Sequence, residues 1–247
     1  MPTRPDRRAD PFRAVMRQEW RELLFLHWRI DAAALARRVP SPLVIDTHEG
    51  QAWIGLVAFE VRGLRPPLLP PVPFASRFAE VNVRTYVRLG DGPPGVWFFS
   101  LDAASRLAVA GARLAYRLPY RFARGRLRRR GDRIRFASRR PGGDGRCTVQ
   151  WRRRLSPAEG PAPAGSLEEF LVERYTLYAT SGGRLFRAGV RHRPYPLVPE
   201  GMLELEGLDQ DLVERAGFDV SGAPRVHASR GVRPAVSAPQ KVRLDAG

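Results

Sequence analysis

Phe78-Ala-Glu-Val-Asn-Val-Arg-Thr-Tyr-Val-Arg-Leu89 is the stretch on which the architecture turns. Side chains of a strand alternate between its two faces with period two. One face receives Ala79, Val81, Val83, Val87 and Leu89, with Thr85 as its one hydroxyl; the other receives Glu80, Asn82, Arg84, Tyr86 and Arg88. An acid, an amide, a cation and a phenol in succession admit two arrangements. In a half-exposed antiparallel sheet such a row faces water. In a barrel it lines a cavity, where unpartnered polar groups cost kilocalories each and either satisfy one another or meet a ligand.

Strands and turns flank this segment on both sides. Ala52-Trp-Ile-Gly-Leu-Val-Ala-Phe-Glu-Val61 is apolar on both alternating faces between Gly50 and Gly63, which predicts a strand buried on both sides. Pro66, Pro67, Pro70, Pro71 and Pro73 exclude helix and central strand, leaving a stiff extended connection or a lid. Val96 to Asp102 reads as a strand, Ser105 to Arg113 as a small-residue helix, and Gly125 to Ser138 as a hairpin turning at Gly131-Asp132. Cys147 to Leu155 adds a strand, and Ser181-Gly-Gly turns a second hairpin. Ser166 with Glu169 matches a capping box, Asp31 caps a helix over 32–38, and a last helix over 208–216 stops at Gly217. Phe12, Val15, Met16, Trp20, Leu23 and Leu24 fall near helical spacing and predict a helix leading into a strand from Leu24. Residues 1–11 and 228–247 lack periodicity and read as tails around one domain over 12–227. Many strands with few short helices predict an all-β or α+β barrel.

Composition bounds the chemistry. The chain has 247 residues, 43% hydrophobic and 27% charged, which is a globular composition. No apolar run approaches the roughly 20 residues that span a bilayer, and no hydrophobic core follows the charged start, so neither membrane insertion nor export is expected. The single cysteine, Cys147, forms no internal disulfide and supplies no thiolate cluster, which fits a reducing cytoplasm. His27, His48, His192 and His227 lack metal-ligand spacing, and no dinucleotide or phosphate-loop motif is present; no metal or cofactor is expected.

Of the net charge of +17, about +15 lies between Arg106 and Arg154, where 17 arginines face two acids. Such localisation suits a polyanion-binding face. It equally suits solvated strand faces, and no nucleic-acid-binding signature accompanies it.

Five ordered motifs carry a resemblance: Leu24-Phe-Leu-His-Trp, Glu80-x-Asn-x-Arg-Thr-Tyr-Val, Ala112-Arg-x-x-Tyr-x-Leu-Pro-Tyr, Glu173-Arg-Tyr-x-Leu-Tyr and His192-x-Pro-Tyr-Pro-Leu. Over about Glu19 to Gly217 the chain resembles DUF2071, the uncharacterised YqjF-like family, itself related to acetoacetate decarboxylase. The resemblance implies a mainly β, α+β fold: a large mixed β-barrel with a few short flanking helices and a ligand cavity, into which part of the 80–88 row would face. It places Arg113 on an Arg of the decarboxylase motif, Tyr120 on the Schiff-base Lys, Arg121 on the neighbouring Lys, and Glu80 on a cavity Glu. Imine catalysis needs a primary amine, and Lys241 is the chain's one lysine, so that route is not expected.

The remaining groups suit a small anionic or carbonyl-bearing ligand. Arg84 or Arg113 would hold a carboxylate or phosphate, Glu80 would act as general acid or base, and Tyr120 would donate to a carbonyl oxygen. Asn82, Tyr86, Arg121 and His192 complete the candidate set, with His192 at the cavity mouth or in a turn. Enolisation, hydration or isomerisation of an oxo-acid and non-catalytic ligand binding remain equal alternatives, with polyanion binding by residues 106–154 as the competing class. Oligomeric state is left open.

Overall fold

The computed structural model of the chain describes residues 12–72, 76–154 and 158–242. The expected amino-terminal tail, Pro73 and Leu155 lie outside them. In chain order the elements begin with β1 (Ala14–Ile30), α1 (Ala32–Ala36), β2 (Val44–Ile45), β3 (Ala52–Arg65), β4 (Arg77–Arg88), β5 (Gly95–Ala103), α2 (Arg106–Tyr116) and β6 (Tyr120–Phe122). There follow β7 (Arg124–Arg130), β8 (Arg133–Arg139), β9 (Arg146–Arg153), α3 (Leu167–Val172), β10 (Thr176–Ser181) and β11 (Arg184–Arg191). The chain then forms β12 (Leu203–Asp209), α4 (Asp211–Arg215), β13 (Arg225–Val232), β14 (Ala235–Ser237) and β15 (Gln240–Lys241).

Seven strands, in the order β4-β3-β1-β14-β11-β10-β5, close into a barrel because β5 pairs with both β10 and β4. The β5–β10 pairing is parallel and the others in the ring are antiparallel, so the barrel is mixed as expected. A second sheet, β12-β9-β8-β7, packs against the outer face of the β1–β3–β4 wall. Ile134, Phe136, Cys147, Val149 and Trp151 of that sheet meet Leu24, Leu56, Val81 and Val83 of the wall in one apolar seam. Cys147 is a packed core thiol there, and burial pushes its pKa up. The inner faces form a second cluster with Leu23, Phe25, Val57, Phe59 and Tyr195. Strand β4 serves both: Ala79, Val81 and Val83 enter the seam while Glu80, Asn82 and Arg84 point into the barrel.

Three expectations are corrected. Residues 12–24 contain no helix, because β1 is continuous from Ala14 to Ile30. Its register against β3 shifts between Arg21 and Leu24, where Glu22 has a φ of 52° and turns its carboxylate to Arg129 and Arg153. Inward positions are therefore Met16, Gln18 and Trp20 before this bulge and Leu23 and Phe25 after it. The change of parity produces the helix-like spacing. Residues 228–247 are not a tail as far as they are described: β13 pairs with β1 over Trp20 to His27, β14 closes the ring between β1 and β11, and β15 pairs with β11. Short, Pro-broken strands carry little sequence periodicity, and tertiary pairing supplies their order. Finally, the helix expected over 208–216 begins at Asp211, because Leu208 and Asp209 still pair with β9.

The hairpin turning at Gly131-Asp132 and the caps at Asp31 and Ser166 form as expected. The Glu169 carboxylate accepts from the backbone of Gly165, however, not from that of Ser166.

Closure depends on one glycine. A Cβ on Gly95 would lie 2.6 Å from the Thr176 carbonyl oxygen and 2.7 Å from the Tyr178 ring, at the parallel seam. Gly95→Ala is expected to cost about 1–3 kcal/mol and lower Tm by several degrees, as overpacking against backbone does. A melt superimposable on wild type would show that the seam yields without cost.

Candidate functional site

Inside the barrel lies a cavity of about 100 Å³. Glu80, Asn82 and Arg84 of β4 project into it, Tyr120 of β6 enters from the side, and Trp20, Phe25, Phe59, Phe98, Tyr116 and Tyr195 form much of its wall. The polar row of residues 80–84 therefore faces inward, away from water, with exposures of 4–8%. Arg88, at the strand end, leaves the barrel and pairs with Asp46 at 2.7 Å.

Glu80 and Tyr120 act as a pair. The Tyr120 hydroxyl donates to the Glu80 carboxylate at 3.2 Å from each oxygen. Burial is the largest influence on Glu80 and raises its pKa to about 8, against the lowering effect of the Tyr120 hydrogen bond; the Asp102 charge adds to the rise. The Tyr120 phenol is in turn pushed well above its ordinary value by burial and by Glu80. Asp102 itself is occupied: Arg140 donates to both its oxygens at 2.8 Å and to Ser100 Oγ at 2.6 Å. At neutral pH Glu80 is therefore mostly a neutral carboxyl hydrogen-bonded to a neutral phenol.

Arg84 is the unusual charge. Its Nη2 donates to the Leu171 carbonyl at 3.2 Å, its guanidinium lies 5.7 Å from the centre of the Phe25 ring and 5.8 Å from that of Tyr86, and its Nε is buried without a partner. Among the described residues no carboxylate pairs with it. Arg174, which also lines the cavity, has Asp46 at 2.5 Å. Asn82 Oδ1 is likewise buried and unpartnered. A buried cation lacking a counter-ion, beside an unmatched amide oxygen, is an arrangement a bound anion with a donor group would complete.

The other expected residues lie elsewhere. Tyr86 is fully buried but sits beyond the cavity wall, donating to the Leu171 carbonyl at 2.8 Å. Arg113 is exposed on α2, and its Nε donates to the Tyr120 carbonyl, so it positions the Tyr120 backbone without reaching the cavity. Arg121 is exposed and pairs with Asp144 at 3.4 Å, because along β6 it alternates with Tyr120 and faces outward. His192 is half-buried behind the wall, its ring 5.8 Å from Trp20 and 4.6 Å from Tyr195. Lys241 lies exposed in β15, paired opposite Phe186 and away from the cavity. The aromatic wall was missed by reading the sequence, since Trp20 and Phe25 have opposite parity and become co-facial only through the bulge at Glu22. Among the described residues no three His, Cys, Asp or Glu side chains converge as metal ligands, and no helix is long and apolar enough to cross a membrane.

The architecture and chain have known counterparts. Acetoacetate decarboxylase from Legionella pneumophila subsp. pneumophila str. Philadelphia 1 superposes with a TM-score of 0.64 at 14% identity, over 98% of this chain and 92% of that one. The enduracididine biosynthesis enzyme MppR, in its complex with pyruvate, gives 0.61 at 13% identity over 96% and 94%. At such identity these likenesses show the fold, which is that of the acetoacetate decarboxylase-like enzymes. In sequence, the uncharacterized protein YqjF of Bacillus subtilis (strain 168) is 42% identical over 183 residues, 74% of this chain and 75% of YqjF. The model of DUF2071, described as an uncharacterized conserved protein, matches residues 17–233, a span that runs from within β1 to the end of β13 and includes the Glu80–Tyr120 pair, and the chain belongs to that family.

Proposed function

We propose that the barrel binds a small carboxylate-bearing carbonyl compound and moves a proton on it without forming an imine. The observation that carries this reading is Arg84, a cavity-lining guanidinium 8% exposed with no carboxylate partner among the described residues. A substrate carboxylate would supply the missing counter-ion through charge-assisted hydrogen bonds. Among the described residues no amine lines the cavity, and the resemblance puts Tyr120 where a Schiff-base lysine would stand. Glu80, with its pKa near neutrality, exchanges between acid and base at little cost. Ionised, it takes a proton from the carbon next to the substrate carbonyl, the electron pair moves onto the carbonyl oxygen, and the Tyr120 O–H donates to that oxygen. The proton held on Glu80 then returns to the same carbon, which completes an enolisation, or, where the enolate is conjugated to a further double bond, to the far carbon of that bond, which is an isomerisation. The pyruvate complex of MppR, on the same fold, supports 2-oxo acids as the class to try.

The test is thermal shift and calorimetry with pyruvate and other short 2-oxo acids. A ligand at a hundredfold excess over its Kd stabilises the folded state by about 2.7 kcal/mol. Absence of any shift with every acid would defeat the reading.

One observation favours a second activity on the outer sheet. Arg124, Arg126, Arg128 and Arg130 of β7 and Arg135 and Arg139 of β8 are exposed, and among the described residues no ion pair joins any of them to a carboxylate. They form a basic face that fits a polyanion. Binding of a short RNA duplex is then expected to weaken with salt at a log-log slope of about −4, and Arg128→Glu with Arg130→Glu to reduce that slope by about 2. Binding that ignores salt, or none at 50 mM, would leave these arginines as solvated surface.

A further inference from the structure

Against the Glu80–Tyr120 pair lies a second, wider hollow of about 370 Å³. Met16, Gln18, Glu80, Ala112, Tyr116 and Tyr120 line both spaces, so these residues form the partition between them. Leu64, Pro66 and Val72 bound the outer hollow on one side, and Leu107, Ala108 and Ala115 of α2 on the other. Leu107 is 62% exposed and Val72 44%, so an apolar rim stands in water beside the site. The inner cavity alone is smaller than the roughly 300–1,000 Å³ typical of ligand sites, and the two spaces together fall within that range.

We infer that the ligand is amphipathic: its carboxylate meets Arg84 in the inner cavity, its reacting carbons lie at Glu80 and Tyr120, and an unbranched apolar chain of about four to six carbons runs past the partition into the outer hollow. The inference rests on the reading of Arg84 as the carboxylate site. It follows from the chemistry of the two spaces. The inner one offers a lone cation and an unpartnered amide oxygen. The outer one offers aliphatic walls, with Arg65 and Gln18 among its few polar groups beyond the shared tyrosines and Glu80. Covering exposed Leu107 and Val72 with an acyl chain removes apolar surface from water on both partners, worth about three- to fourfold in affinity per methylene.

Calorimetric titration of the full chain with pyruvate, 2-oxobutyrate, 2-oxohexanoate and 2-oxooctanoate tests this directly. Affinity is expected to climb about three- to fourfold per added methylene and to level off near eight carbons. Ala115→Trp and Leu107→Glu, both at exposed positions of α2, are expected to flatten the climb, so that 2-oxooctanoate and pyruvate bind within a few-fold of each other. Arg84→Met is expected to weaken every member of the series. Pyruvate bound with no dependence on chain length in wild type would overturn the inference and leave the carboxylate site standing. A climb that persists unchanged in both α2 variants would also overturn it, since the chain would then lie elsewhere. If no member of the series binds, the carboxylate reading itself fails and the inference with it.

Discussion

Glu80→Gln is expected to abolish the pH dependence of stability that one buried carboxyl confers, while leaving the protein folded and at least as stable as wild type at pH 8. In the unfolded chain Glu80 loses its proton near 4.5; in the barrel it keeps it to about 8. Below 4.5 both states hold the proton and the group contributes no slope. Between 4.5 and about 8 the folded state binds a proton that the unfolded state has released, so stability falls as pH rises through that window. The ceiling of the effect is about 4–5 kcal/mol, or roughly 10 °C in Tm for a chain of this size. Glutamine imitates the neutral carboxyl in size and in its hydrogen bond to Tyr120, and it has no proton to lose. The difference in Tm between wild type and variant, measured from pH 5 to 8.5, isolates this group from every other titration. Parallel profiles would sink the idea that Glu80 is held protonated. The same substitution removes the proton acceptor, so turnover of any substrate found should drop by at least a hundredfold while binding survives.

Arg84→Met should act in opposite directions on stability and on binding. The guanidinium is buried with no carboxylate partner among the described residues, and its Nη2 donates to the Leu171 carbonyl, which also accepts from Tyr86 at 2.8 Å. Removing Arg84 therefore strands no acceptor. A methionine of similar length fills the same space between Phe25 and Tyr86 without the desolvation cost of a charge. A stabilisation of about 1–3 kcal/mol is expected by denaturant titration. Affinity for carboxylates should fall about 10- to 100-fold, the value of a charge-assisted hydrogen bond. A variant that is markedly destabilised, with unchanged acid binding, would make Arg84 a structural residue and remove the main support for a carboxylate site.

Much of the barrel could be read from local pattern, and the rest from none. The alternation in residues 78–89 identified β4 and its two faces, and the unbroken apolar run of 52–61 identified β3 as a strand without a wet side. The hairpins at Gly131 and Gly182 follow from turn chemistry. By contrast, β1 was hidden because a bulge halfway along it reverses which residues face in, so its apolar positions imitate a helix. Strands β13 to β15 are short and interrupted by proline, and their order comes from neighbours 200 residues away, β1 above all. In the site, Glu80, Asn82, Arg84 and Tyr120 were legible because a strand pattern or a motif placed them. Arg113 and Arg121 were misplaced for a geometric reason. Motif similarity fixes position along the chain, but the direction of a side chain depends on the rotation of α2 and the parity of β6.

Strand β4 has one further property. From Phe78 to Val87 every residue is buried, with Glu80, Asn82 and Arg84 toward the barrel interior and Ala79, Val81 and Val83 toward the outer sheet. Such a strand has no neutral direction in which to drift. A one-residue slip would drive Glu80 and Arg84 into the seam beside Phe136 and Val149 and present valines to the ligand, failing on both sides at once. The polar lining of the cavity and the cohesion of the two sheets thus share a single ribbon of backbone, so a chain with β4 out of step can neither present Glu80 and Arg84 to the cavity nor hold its outer sheet.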